Sequence, residues 1–313
     1  MDALYPLSAR RWLHDGRFFA VLSAAGFSLK AIFVKLAYAA GPVDAVTLLA
    51  LRMGLALPLF AWLIYSSRGD GGAPLGRADL LRILLLGMLG YYLSSLFDFY
   101  GLEHISAGLE RLILFCFPTL VLLLQAIALR AWPSRRTLLA VGVCYGGLGI
   151  AFRHDLGVAG GGAQVLQGAA WVFASAVTYA LYYFGTGVMV QRLGSMRLAG
   201  LVGAASALMV LAHYGVTGSA TQLARLPASV WLYAALMALF ATALPIYWMA
   251  LAIQRMGAAH TAAIGNLGPV LTIFAAWAVL GESLSVYQLA GLALVVFGVS
   301  RLKPAPPATA KSS

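Results

Sequence analysis

Apolar residues in this chain come in blocks of about 20, the length a helix needs to cross roughly 30 Å of hydrocarbon, and short polar breaks part them. The pattern predicts ten spans, near residues 18–37, 44–65, 80–101, 106–129, 136–152, 164–187, 196–214, 228–253, 258–280 and 285–301. The plainest breaks are GDGGAPLG at 69–76 and GVAGGGA at 157–163, rich in the residues that interrupt helices. The expected fold class is an all-α integral membrane protein.

One block returns. SAGLERLILFCFPTLVLLLQAIALRAWPSRRTLLAVGVCYGGLGIAF, residues 106–152, aligns without a gap on GAAHTAAIGNLGPVLTIFAAWAVLGESLSVYQLAGLALVVFGVSRL when Pro118 is set on Pro269, 151 positions later. A unit that restarts after an odd number of crossings lies upside down in the second half, the inverted-topology plan of secondary transporters. The chain then divides into a cytoplasmic segment 1–17, a five-helix repeat 18–152, a linker 153–163, a second five-helix repeat 164–301 and a disordered cytoplasmic tail 302–313. Pro118 and Pro269 each remove a backbone donor within a span, so helices 4 and 9 are expected to kink and to line the pathway. Gly142 and Gly146 form a small-xxx-small pair, extended by Gly147 and Gly149, that invites close approach of another helix.

Composition agrees with a membrane class: 62% of residues are hydrophobic and 10% charged. The net charge of +11 is not a nucleic-acid signal, because Lys and Arg sit in the short breaks and form no contiguous basic face. If the spans alternate, Arg10, Arg11, Arg17, Arg68, Arg77, Arg82, Arg130, Arg135, Arg136, Arg192, Arg197, Arg255, Arg301, Lys303 and Lys311 share one side, and only Arg153 and Arg225 fall opposite. The positive-inside rule then places both termini in the cytoplasm, in a bacterial inner membrane. Cys116 and Cys144 lie in apolar runs and read as small buried hydrophobes, with no disulfide framework or metal spacing.

Six ionisable residues fall within spans, all in the amino-terminal half: Lys30, Lys35, Arg52, Asp98, Glu110 and Arg111. An ionised side chain at a helix centre costs at least ~2.5 kcal/mol, so these groups should face the bundle interior with partners. Lys35 is expected to snorkel outward, whereas Lys30 and Arg52, roughly 12 Å deep at 1.5 Å per residue, are expected in a cavity. Asp98 and Glu110 neutralise two of the four cations, leaving a surplus suited to a carboxylate or phosphate; a purely structural ion network is the competing reading. Glu110 is also a candidate to carry a coupling proton, with Arg111 beside it acting against that role. The second half offers softer groups, Tyr179, Tyr183 and Asn266. Tyr182 and Trp248 read as interfacial anchors.

The stretches GFSLKAIFVKLAY, LLALRMGLALP, LERLILFCFPT and PVLTIFAAWAVLGESLS resemble the drug/metabolite transporter superfamily, EamA-type, over nearly the whole chain. That resemblance implies a ten-helix inverted repeat with a central cavity and alternating access. One departure stands out: Leu280, Gly281 and Glu282 end the second proline helix, while the first copy reads Leu129, Arg130, Ala131. The expected function is secondary transport, as an exporter, of small polar or amphipathic metabolites such as amino-acid-like compounds. A carrier of organic anions or phosphorylated metabolites is the alternative, and a membrane-embedded enzyme a weaker one. No HExxH, GxSxG or GxxxxGK element is present, so no enzyme activity and no cofactor or metal are expected. Expected partners are a small-molecule substrate, membrane lipid, a coupling proton or counter-substrate, and a second copy as a homodimer, with no nucleic acid.

Overall fold

The computed structural model describes residues 15–67, 74–130, 132–158, 162–256 and 258–301, and among them every regular element is helical. Arg10, Arg11, Arg68, Lys303 and Lys311, and most of the expected terminal segments, lie outside the described residues.

The rods run in order α1 (Gly16–Ala40), α2 (Ala45–Ser66), α3 (Arg77–Leu102), α4 (Ala107–Leu129), α5 (Arg135–Val158), α6 (Gly162–Leu193), α7 (Ser195–Thr217), α8 (Ala228–Met256), α9 in two pieces (Ala258–Gly265 and Gly268–Leu280) and α10 (Val286–Ser300). Among the described residues seven helices are long and apolar enough to cross a membrane: α1 to α4 and α6 to α8. α5 is long enough but carries Arg135, Arg136, Arg153 and Asp155. α9 is divided by a break, and α10 has 15 residues.

Starts and breaks are local chemistry. Asp15, Asp44, Ser106 and Ser285 cap α1, α2, α4 and α10, each accepting from a first-turn amide that has no partner within its own helix. Burial works against the charge on Asp44, but the bonds it accepts from Thr47 and Gln222 outweigh it and hold its carboxyl below the usual range. The two prolines do not sit in mid-helix. α4 breaks at Phe115–Cys116 and α9 at Asn266–Leu267, and Pro118 and Pro269 each fall in the first turn of the piece that follows. There a missing amide hydrogen costs nothing, because first-turn amides are orphans anyway.

The two breaks are 151 residues apart, and other features keep the same offset. α3 loosens into a π-helix at Met88–Leu93 and α8 at Leu239–Ala243. The helix-ending residues Arg130 (φ 50°) and Gly281 (φ 68°) are both left-handed. Ser94 and Pro245 keep the offset too, and each carbonyl accepts a buried bond from a serine hydroxyl of the other half, Ser175 Oγ at 2.7 Å and Ser23 Oγ at 2.8 Å, with those two serines 152 residues apart.

The contact of α5 with α10 shows how the halves meet. A Cβ on Gly147 would lie 2.8 Å from Gly291 O, and one on Gly298 would lie 2.7 Å from Ala140 O, with Cys144 Sγ donating to Val295 O at 3.6 Å between them. Moving up α5 means moving down α10, so the two helices cross antiparallel, and exchanging each residue for its counterpart 151 positions away reproduces the contact. The α1–α8 and α3–α6 contacts form a second related pair, and α2 packs on α7.

The glycines divide unexpectedly. Gly147 sits in the tight crossing, whereas Gly142, Gly146 and Gly149 have no neighbour within 4 Å of a built Cβ. The small-xxx-small pair expected to receive a helix therefore faces outward. A groove of about 570 Å³ lies beside it, lined by Arg135, Leu138, Leu139, Gly142 and Val143. It shares no residue with the charged cluster described next.

Candidate functional site

Lys30 of α1 reaches Asp98 of α3 and Glu110 of α4: its Nζ lies 2.7 Å from Asp98 Oδ2 and 3.2 Å from Glu110 Oε1. Both carboxylates are sealed from solvent, at 1% and 0% exposure. The contacts are within ion-pair distance but do not meet hydrogen-bond geometry, so none of the four carboxylate oxygens has a hydrogen bond among the described residues. One ammonium therefore serves two buried acids.

Arg52 of α2 stands apart from those acids. It is buried; its Nε donates to Thr242 Oγ1 at 2.9 Å and its Nη1 to Ser95 Oγ at 3.4 Å. Its guanidinium carbon lies 5.6 Å from the centre of the Phe99 ring, within cation–π range. Thr242 lies in the π-helical turn of α8 and passes its own proton to Met237 O at 3.0 Å. Such turns open the ladder of backbone bonds and recur at functional positions.

Arg111 of α4 leans across to α9. A Cβ on Gly268 would sit 2.7 Å from Arg111 Nη2, so the guanidinium in this position packs against the bare backbone of a glycine. Its Nε is buried without a hydrogen-bond partner. Neither Arg52 nor Arg111 has a carboxylate within 4.0 Å among the described residues.

Tyr179 and Tyr183 stand on one face of α6 with Tyr182 between them. Tyr179 stacks on Tyr182 at 5.7 Å, Tyr182 meets Tyr91 edge-on at 5.5 Å, and Phe117, just past the break in α4, packs on Tyr179 at 5.0 Å and Tyr183 at 5.2 Å. Gly90, in the π-helical turn of α3, makes room: a Cβ there would lie 2.4 Å from the Tyr182 ring. Tyr182 is thus part of this aromatic wall and not the interfacial anchor its position suggested.

Of the residues singled out by sequence, Lys30, Asp98 and Glu110 come together. Arg52 and Arg111 flank them, and Tyr179 and Tyr183 form the aromatic side. Asn266 occupies the α9 break, two residues from Gly268, half-buried and without a hydrogen bond among the described residues. Among the described residues Lys30 is the sole cation paired to the acids in this group. Sequence reasoning missed Tyr91, Ser95, Phe117 and Thr242. The Tyr-x-x-Tyr-Tyr spacing could have revealed Tyr182, since positions i, i+3 and i+4 share a helix face. Nothing local marks Thr242, whose partner is 190 residues away. Among the described residues no group of His, Cys, Asp and Glu is placed to hold a metal ion.

Comparison with known proteins agrees with this geometry. The model of the EamA-like transporter family matches twice, over residues 15–153 and 166–302. The uncharacterized transporter YcbK of Bacillus subtilis (strain 168) is 33% identical over 301 residues, covering 92% of each chain. A second transporter of that organism, YyaM, also uncharacterized, is 26% identical over 283 residues, covering 88% of this chain and 90% of its own. One crystal structure superposes with a TM-score of 0.63 at 17% identity, covering 91% of this chain and 94% of the other; at that identity it speaks for the fold alone. Duplicated family match, apolar helices and full-length relatives lead to one conclusion: this chain is a membrane protein belonging to the EamA-like transporter family.

Proposed function

We propose that the chain is a ten-span secondary transporter that exports small polar or amphipathic metabolites of the amino-acid type across a bacterial inner membrane, by alternating access to one site formed by Lys30, Arg52, Asp98, Glu110, Arg111, Tyr179, Tyr183 and Asn266. One observation carries this reading: buried polar atoms of both signs, the oxygens of Asp98 and Glu110 and the Nε of Arg111, lack hydrogen bonds. Leaving such an atom unsatisfied costs about 1–3 kcal/mol. A zwitterion answers both needs, its ammonium meeting the acids and its carboxylate the guanidinium, while the tyrosines and Phe117 accommodate an apolar side chain.

The antiparallel α5–α10 crossing supports inverted repeats, because a two-fold axis that reverses helix direction lies in the membrane plane. α5, α9 and α10 then complete ten spans, with the repeats at 18–152 and 164–301. The loop arginines favour cytoplasmic termini. Asp98 and Glu110 are the groups through which a proton or counter-substrate would couple.

A second reading, transport of organic anions or phosphorylated metabolites, draws on Arg52 and Arg111, which have no carboxylate within 4.0 Å among the described residues while two acids share one lysine. Purified protein in liposomes, offered a panel of amino acids, organic acids and phosphorylated compounds with and without a pH gradient, separates the two. Zwitterion transport that falls at least tenfold in Asp98→Asn and Glu110→Gln is expected. Transport of anions alone, unaffected by those variants, would overturn the first reading in favour of the second.

A further inference from the structure

Glu282 comes from the second half of the chain, and its carboxylate accepts hydrogen bonds from the first. Its Oε1 accepts from Ala107 N at 2.8 Å and its Oε2 from Gly108 N at 3.2 Å. Ser106 supplies the rest: its Oγ accepts from Leu109 N and its carbonyl from Glu110 N, both at 3.0 Å. All four amides that open α4 are therefore satisfied, two of them by a carboxylate that begins the link from α9 to α10. Gly281, left-handed at φ 68°, turns the chain so that Glu282 follows the end of α9 directly.

In the sequence, 151 positions away, the counterpart of Glu282 is Ala131 and that of Ser106 is Gly257. Neither side chain contains an acceptor. The same α4–α9 junction is thus clamped by a charged group at one end, and its counterpart residues offer no such group at the other. The difference bears on motion, because a two-fold that exchanged identical halves would make the two access states equal in energy. Only residues that break the symmetry can favour one state, and Glu282 does so at the junction where α4 and α9 must part.

We propose that Glu282 is a latch: it ties the second half of the chain to the start of α4 and must release Ala107 and Gly108 before that end opens, so the protein rests with the Glu282 end shut. This rests on the alternating-access reading above. Two pairs of spin labels test it, His104→Cys with Val286→Cys at the latched end and Leu129→Cys with His260→Cys at the other, in protein whose Cys116 and Cys144 are replaced by Ala. Distances are measured by pulsed electron resonance in liposomes. Glu282→Ala should shift the open-to-shut ratio at the latched end at least tenfold, about 1.4 kcal/mol, with the opposite change at the far end. Glu282→Gln, which keeps one acceptor oxygen, should shift it less, and Ala131→Glu should shift it the other way. If Glu282→Ala and Glu282→Gln lower only the melting temperature and leave both distance distributions unchanged, Glu282 is a helix cap and the latch is wrong. A single unchanging distribution at both ends in wild type and in Ala131→Glu would instead sink alternating access, and the latch with it.

Discussion

Residues 88–93 and 239–243 loosen their helices into the same π geometry, α4 and α9 break at matching positions, and Ser23 and Ser175 make matching hydrogen bonds. The side chains hung on this shared skeleton differ almost completely. Counting 151 positions on from Arg52, Asp98, Glu110 and Arg111 gives Gly203, Met249, Thr261 and Ala262. The first half carries the buried charge, while the second supplies the hydroxyl of Thr242, the tyrosine wall and the carboxylate of Glu282. Backbone geometry survives such divergence because breaks and loosened turns depend on proline, glycine and small-residue contacts. On the proposed function, charge need not be duplicated, since one site placed between two halves would serve both access states.

The largest effect that would break this comparison is at Lys30. Lys30→Ala leaves two buried carboxylates without their cation, and removing one partner of a buried ion pair costs about 3–5 kcal/mol, so a sharp loss of stability in detergent melts is expected. Combining it with Asp98→Asn and Glu110→Gln should restore stability without restoring transport. A Lys30→Ala protein as stable as wild type would mean the acids are not held as ions. The exchange between halves comes next. Thr242→Val takes away the acceptor of Arg52 Nε, leaving a buried donor unsatisfied at a cost of about 1–3 kcal/mol. A double-mutant cycle with Arg52→Met should show coupling between the two positions, and additive effects would mean that the bond contributes little.

Smaller differences sharpen the comparison. Arg130 and Gly281 share a left-handed backbone that costs a residue with a Cβ about 1–2 kcal/mol. Arg130→Gly should therefore raise the unfolding free energy by about 1 kcal/mol and Gly281→Ala lower it by a similar amount; the same sign in both would refute the equivalence. Smallest is the contrast among glycines. Gly146→Ala meets nothing within 4 Å and should be neutral or gain up to about 1 kcal/mol from helix propensity, whereas Gly147→Ala would push against Gly291 O at 2.8 Å and Leu294 Cβ at 2.7 Å. Melting curves of the two variants should separate in opposite directions.

Much of this was legible in the sequence. Apolar blocks and the Pro118–Pro269 offset announced a duplicated helical membrane protein, and of the six intramembrane charges Lys30, Asp98 and Glu110 come together. The glycine pattern was read one helix face too far: Gly142 and Gly146 look like a docking pair, but Gly147 and Gly298 do the docking. Spacing alone cannot tell which side of a helix its neighbour takes. The prolines were legible as interruptions, though not as first-turn residues, because a break two residues upstream depends on how the whole helix packs.

By itself the sequence determined the helices, their caps, their breaks and the burden of buried charge, since these follow from local hydrogen bonding and the cost of placing each side chain in hydrocarbon. Tertiary structure alone decided that Lys30 takes both acids, that Arg52 turns to a threonine 190 residues away and that Glu282 closes the start of α4. Each of these pairings joins separate helices, and the Arg52 and Glu282 pairings also join the two halves, so only the packing of the whole bundle brings them within a few ångströms.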